Sequence, residues 1–411
     1  MTLAFFIRLL ALSAQFLSLY IAVEFFGERS TTVFFSQLSV ALVASRFGTL
    51  TFPLYAFPLV KVGKSKMAVS IALQIQAVGM PIVFLILAPL YHFWNMPLWS
   101  GITLYIASLL DMNHIFFRHE MVTKNFKSIN IIAYESSQPI FFCLILFMFF
   151  LIGVTNLFSI ILSYTLSMIA MMVIGSILSS TNIFWTLNLK HTFSINKTRL
   201  KVLIKYARKA LPVCLNQFTQ IGAGNFPVFA ATICGTPLDV ISMALLQRLL
   251  SLVEAFTWLD VVRALDIYYI EKAPAKHYAK VIAIASFVTI FSFILILISD
   301  TVNIRFISDR FMPNIYMHLK RLAAVPAIFL LPALGFINIH LHYIYLGAER
   351  FKEQFYNGAL SAAVMLFLFV MLVNTNIRLI TIISWSYGIY EIAFLFLTFG
   401  LMNEALLNIK S

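Results

Sequence analysis

The segment ALLQRLLSLVEAF (244–256) places Gln247, Arg248, Ser251 and Glu254 in an otherwise apolar run. At about 100° per residue, Gln247, Ser251, Glu254 and Trp258 share one side of a helix, with Arg248 next to them. A second run carries Ser39, Arg46 and Pro53 at intervals of seven, again a single polar stripe. A third adds Asn216 and Gln220 at i, i+4, followed by Asn225. Guanidinium groups bind anions through charge-assisted hydrogen bonds, and amides take the place of water around polar groups. Two arrangements satisfy these stripes. One is an interlock in which Arg46 pairs with Glu254 and the amides bridge helices. The other is a hydrated cavity whose cations and amides meet a polar, anionic head group. A pair that substrate breaks would act as a gate, so the two are compatible.

Titratable groups offer a second chemistry. Asp111, near Asn113 and His114, could exchange protons or could mark a snorkelling helix end. His340 and His342 could relay protons, since imidazole titrates near neutral pH, or could form a polar contact between helices. Glu24 sits where interfacial exposure explains it. Catalytic patterns are missing: there is no Ser/His/Asp or paired-carboxylate constellation at suitable spacing and no GxxxxGK[ST] phosphate loop. Cys143, Cys214 and Cys234 lie in apolar runs without metal-ligand spacing. The NKT at 196–198 falls in a basic loop and reads as a chance sequon. No enzyme, metal or cofactor is expected.

The elements that hold these residues follow from composition. Of 411 residues 61% are hydrophobic and 11% charged, against roughly 25% charged in a soluble domain. One soluble core could not hide so much apolar surface, so an all-α polytopic membrane protein is expected. Runs near the length needed to cross a bilayer fall at 3–26, 31–59, 67–91, 98–117, 129–152, 157–180, 209–234, 238–262, 280–299, 322–346, 356–373 and 379–402. The first lacks a charged leader and a small-x-small cleavage site, so it reads as a span. With the N-terminus inside, 21 of the 29 Lys and Arg fall on the inner side and six on the outer. Only Arg46 and Arg248 remain within spans. That asymmetry puts both termini in the cytoplasm. It also explains the net charge of +13 without nucleic acid, whose binding would want the cations on one face. Tyr91, Trp94, Trp99, Trp185 and Trp385 suit an aromatic belt.

The basic stretch 185–208 divides the chain into a six-helix bundle at 1–184 and another at 209–411. Each half restarts with a span, a short outer turn on glycine, a long polar-dotted span and an inner loop. Aligning Gly27 with Gly235 puts Arg46 opposite Glu254. Six spans per half give repeats of the same orientation, as in parallel-repeat transporters.

This layout, the stretch LPVCLNQFTQIGAGNFPVFAATICGTPLDVISMALLQRLLSLVEAF, the restart at YARKALPVCLNQF and the turn RHEMVTKNFKSINIIAYE (118–135) resemble the polysaccharide-exporter branch of the multidrug/oligosaccharidyl-lipid/polysaccharide superfamily. Within it they are most similar to O-antigen flippases. The outer turns GERS and GTPL depart from the pattern. The resemblance implies a MATE-like fold in a bacterial inner membrane and a substrate of polyprenyl-diphosphate-linked oligosaccharide. Other polysaccharide-assembly membrane proteins would be its company. Arg46 and Arg248 would then meet the diphosphate, and Asn216, Gln220, Gln247 and Ser251 the sugars. A cation-coupled multidrug extruder and a polytopic glycan polymerase are the alternatives. The first is disfavoured by the arginine in span two, the second by an outer loop (300–321) short for an acceptor site.

Overall fold

The computed structural model describes residues 2–124, 126–179, 197–250, 313–335, 337–338 and 351–407. The described residues contain helices and turns and no strand. The chain divides into two compact units, Met1–Gly222 and Ala223–Ser411.

The N-terminal unit begins with α1 (Thr2–Phe25), α2 (Glu28–Thr49), α3 (Phe52–Tyr55), α4 (Phe57–Lys61) and α5 (Ser65–Phe93). It continues with α6 (Leu98–Thr123), α7 (Ser128–Ile152), α8 (Leu157–Leu178) and the start of the Lys197–Cys234 helix. Local chemistry sets the ends. Gly27, at φ 80°, turns the chain between α1 and α2, a conformation that costs glycine little. Gly153 closes α7 in the left-handed region. Asn156 then opens α8 with a capping box, accepting from the Ser159 N–H at 3.0 Å while Ser159 Oγ accepts from Asn156 N–H at 3.1 Å.

The expected continuous span 31–59 is interrupted. Helix α2 stops at Thr49, and Leu50 and Thr51 both adopt φ 47° before α3 begins. Pro53 supplies the reason. It has no N–H to give Thr49 O, its ring would strike that carbonyl, and it disfavours helical backbone at Phe52. Thr51 N–H instead bonds Arg46 O at 3.1 Å. At 22 residues, α2 is still about 33 Å long, enough to cross a hydrocarbon core. His119 Nε2 donates to Pro53 O at 3.0 Å and tethers the segment after the break to α6.

Helix α1 packs on α7, α7 on α8, and α2 on α5 and α6. Two glycines let backbones approach. A Cβ at Gly79 on α5 would lie 2.4 Å from Gly48 O on α2, and one at Gly48 would strike the Tyr105 hydroxyl. Such small-residue contacts drive association where lipid gives helices no hydrophobic reason to meet. At the end of the unit near α3 and α4, Phe52, Ala56, Val60, Ile75 and Phe116 form a buried cluster. Leu203 and Ala210 of the Lys197–Cys234 helix join it.

In the C-terminal unit, residues 237–250 are helical. Pro313–Ala323, the 3-10 turn Pro326–Phe329, Phe351–Leu372 and Leu379–Leu407 follow. The last two pack on each other, and Leu379–Leu407 also touches the 3-10 turn. Arg321 reaches Asp239 at 2.7 Å, and His318 Nδ1 lies 2.9 Å from Ser242 Oγ. Burial, with Arg321 nearby, lowers the His318 pKa to about 4, so this contact is made by a neutral ring.

Among the described residues, six helices are long and apolar enough to cross a membrane: Phe6–Phe25, Ser65–Phe93, Ile129–Ile152, Leu157–Leu178, Lys352–Leu372 and Leu379–Thr398. The expected span at 280–299, the second half of 238–262, parts of 322–346 and the first half of the connection 185–208 lie outside the described residues.

Two outcomes follow from this packing. Gly79→Ala gains helix propensity yet must push α2 from α5, so it should lower stability by about 1–3 kcal/mol. Thermal unfolding in detergent measures this; an unchanged midpoint would show that the helices separate freely. Burial of the His119 ring, with Arg118 beside it, lowers its pKa to about 3. Unfolded chain therefore binds the extra proton first, and stability should fall as pH drops from about 6.5 towards 3. His119→Gln should flatten that limb of a melting-temperature-against-pH curve.

Candidate functional site

Helices α2 and α6 bring Arg46 and Asp111 to 3.7 Å, with side chains 13% and 24% exposed. The pair is thus shielded from bulk water without being sealed. Asp111 also lies 3.6 Å from His114 Nδ1 one turn on, and an Arg46 Nη contacts Met112 Sδ. Arg46 Nε has no hydrogen-bond partner among the described residues. Helical spacing explains the gathering, because Asp111 and His114 are three apart on α6. Beneath them, Gln76 and Asn113 exchange amide hydrogen bonds of 2.7 and 3.2 Å across α5 and α6.

The Lys197–Cys234 helix runs past the end of α2. Cys214 Sγ donates to Arg46 O at 3.5 Å, and the rings of Phe47 and Phe218 are 4.5 Å apart. Between and beyond these contacts stands an amide ladder. Gln220 donates to Asn216 Oδ1 at 3.0 Å, and Gln217 to Gln220 Oε1 at 3.1 Å. Asn216 is buried; Gln217 and Gln220 are half-buried. A third group joins three helices: Glu135 on α7 meets Arg8 of α1 at 3.2 Å and Arg118 of α6 at 3.4 Å. Arginine thus outnumbers carboxylate three to two in these ion pairs.

In the C-terminal unit, Gln247 donates to Gly224 O at 2.7 Å, and Arg248 is half-buried. Ser251, Glu254, His340 and His342 lie outside the described residues, so the expected Arg46–Glu254 pair and the histidine relay have no geometry here. The partner that the structure gives Arg46 is Asp111. Among the sequence candidates the structure brings together Arg46 with Asp111 and Asn216 with Gln220.

Sequence reasoning passed over Glu135 and Glu391. Each is a carboxyl inside an apolar span, at 129–152 and 379–402, and that isolation was the signal available. Glu135 went unremarked because Arg8 lies 127 residues away, beyond any local pattern.

No family model matches the chain, and neither does any curated protein. Solved structures do. The fold is similar to an inward-facing multidrug resistance MATE family transporter of the MOP superfamily, at TM-score 0.61 and 14% identity over 99% of this chain and all of that one. A MATE transporter solved as a point mutant matches at TM-score 0.60 and 13% identity, covering 100% and 96% of the two chains. A eukaryotic MATE transporter gives TM-score 0.58 and 10% identity over 99% and 98%. The chain has a MATE-like helical fold.

The two ion-pair groups should respond differently to neutralisation. Glu135→Gln strips the counter-charge from two arginines and should cost about 3 kcal/mol. Asp111→Asn keeps a hydrogen-bonding group beside one half-shielded arginine and should cost about 1–2 kcal/mol. Thermal midpoints in one detergent would rank them; equal losses would mean that Glu135 does not bind both guanidiniums.

Proposed function

We propose that this protein flips polyprenyl-diphosphate-linked oligosaccharide, an O-antigen or similar surface repeat unit, across a bacterial inner membrane by alternating access. The observation that carries this reading is the arginine surplus in the N-terminal unit: Arg8, Arg46 and Arg118 against Asp111 and Glu135 in the ion pairs. A diphosphate needs such donors to leave water, and the Nε of Arg46 is one donor still to be satisfied. The lipid tail stays in the bilayer while the head group passes. Asn216, Gln220 and Gln247 supply neutral hydrogen-bonding groups for sugar hydroxyls, limiting the cost of their desolvation. The MATE-like fold supports a carrier that rearranges rather than an enzyme. In this reading both termini face the cytoplasm, and the protein works beside other polysaccharide-assembly membrane proteins.

A second reading, a cation-coupled multidrug extruder, is favoured by two observations. Asp111 stands beside Arg46 where an acid could serve an organic cation, and a solved relative in fold is a multidrug resistance transporter. The surplus of guanidinium suits a cation less well.

Arg46→Ala and Arg248→Ala, each expressed in cells dependent on this protein, should reduce surface glycan display about tenfold or more at unchanged protein level in the membrane. Normal glycan display by both variants, or growth protection against cationic dyes with no effect on glycan, would overturn the flippase.

A further inference from the structure

The candidate span Leu379–Thr398 carries a single carboxyl, Glu391, and it is buried. Asn338, also buried, donates its Nδ2 to the main-chain oxygen of Glu391 at 2.8 Å and to Oε2 of the carboxyl. The Tyr387 hydroxyl bonds the same carboxyl. The other half of the amide is unused: Asn338 Oδ1 is sealed from solvent and has no hydrogen-bond partner among the described residues. An orphaned acceptor beside a carboxyl is the complement of an O–H group.

No cation faces this carboxyl from the described elements around it. On its own helix the nearby titratable groups are Tyr387 and Tyr390. The described residues between 326 and 338 contain no ionisable side chain. In Phe351–Leu372 the ionisable residues are Lys352, Glu353 and Tyr356, all in the first two turns. Asn357 Nδ2 donates to Leu397 O at 3.2 Å. That register puts those turns alongside the far end of the last helix, about 10 Å or more along the axis from Glu391. Hydrogen bonds to a carboxylate and the penalty for a charge at this depth are of the same order. The hydrogen bonds therefore offset part of that penalty.

We propose that Glu391 is a proton-exchange site, with Asn338 as the residue that holds both forms. With the carboxylate, the amide Nδ2 donates to Oε2. When a proton from water adds to the carboxyl, the new O–H donates to Oδ1, so the neutral form satisfies the acceptor that the charged form leaves unpaired. Uptake consumes one proton and neutralises one negative charge; release returns it to water. The site is independent of Asp111, His340 and His342 and of the substrate argued above.

Infrared difference spectroscopy of the full chain in liposomes tests it. Between about pH 5 and about pH 9, the wild type should lose one carboxylic-acid C=O band that Glu391→Gln never shows. Asn338→Leu should move the midpoint by about one unit or more. Glu391→Gln has the shape of the neutral acid and should melt as the wild type does, so it decides the matter even if Asn338→Leu does not fold. A Glu391 band constant across that range would make the residue a fixed structural acid, and spectra identical in wild type and Glu391→Gln would remove it altogether; either overturns the proposal. A titrating band with normal glycan display by the arginine variants would keep this site while the flippase falls.

Discussion

A guanidinium cannot be left alone at the depth of lipid tails, and the N-terminal unit is organised around that constraint. Arg46 is answered by Asp111 from α6, while Arg8 and Arg118 converge on Glu135 of α7. These contacts cost desolvation and return specificity as much as stability. They tie α1, α2, α6 and α7 together through three ionised contacts on three arginines and two acids. A helix shifted by one turn would leave a charge without its match, so register is strongly defined.

Close backbone approach is the complementary device. Gly48 and Gly79 let α2 and α5 touch, and the ring of Tyr91 occupies the space a side chain at Gly101 would fill. Where apolar surface meets apolar lipid, contact rather than water release holds helices together. Polar pairs such as Gln76 with Asn113 then fix which faces meet. The unit thus combines tight glycine seams with a few hydrogen-bonded polar contacts.

Much of this was legible in the chain itself. Long apolar runs determine length and number of crossings in a medium that tolerates little else, and the all-helical MATE-like fold agrees with that reading. The glycine turn at Gly27 and the polar stripe through Arg46 were also visible. The interruption of α2 was less so: Pro53 had been counted as part of a stripe, and its effect on Thr49 four residues back outweighed the continuity of the hydropathy. The Asp111 partner of Arg46 could not be read from spacing, because it depends on which faces of α2 and α6 touch. Asp111 stood out as a proton site or a snorkelling helix end, without its partner. Glu135 and Glu391 were visible only as isolated acids, and their partners come from distant segments that no local periodicity connects.

The break after Thr49 has an electrostatic consequence for its neighbour. Arg46 occupies the last turn of α2, where the peptide dipoles leave partial negative charge on the terminal carbonyls. Arg46 O is turned inward to the Leu50 and Thr51 N–H groups and to Cys214, which blunts that field without cancelling it. A negatively charged group travelling towards the guanidinium meets an opposing potential from the broken end and a smoother one from the body of the helix. The interruption therefore gives an otherwise isotropic charge a preferred direction of approach.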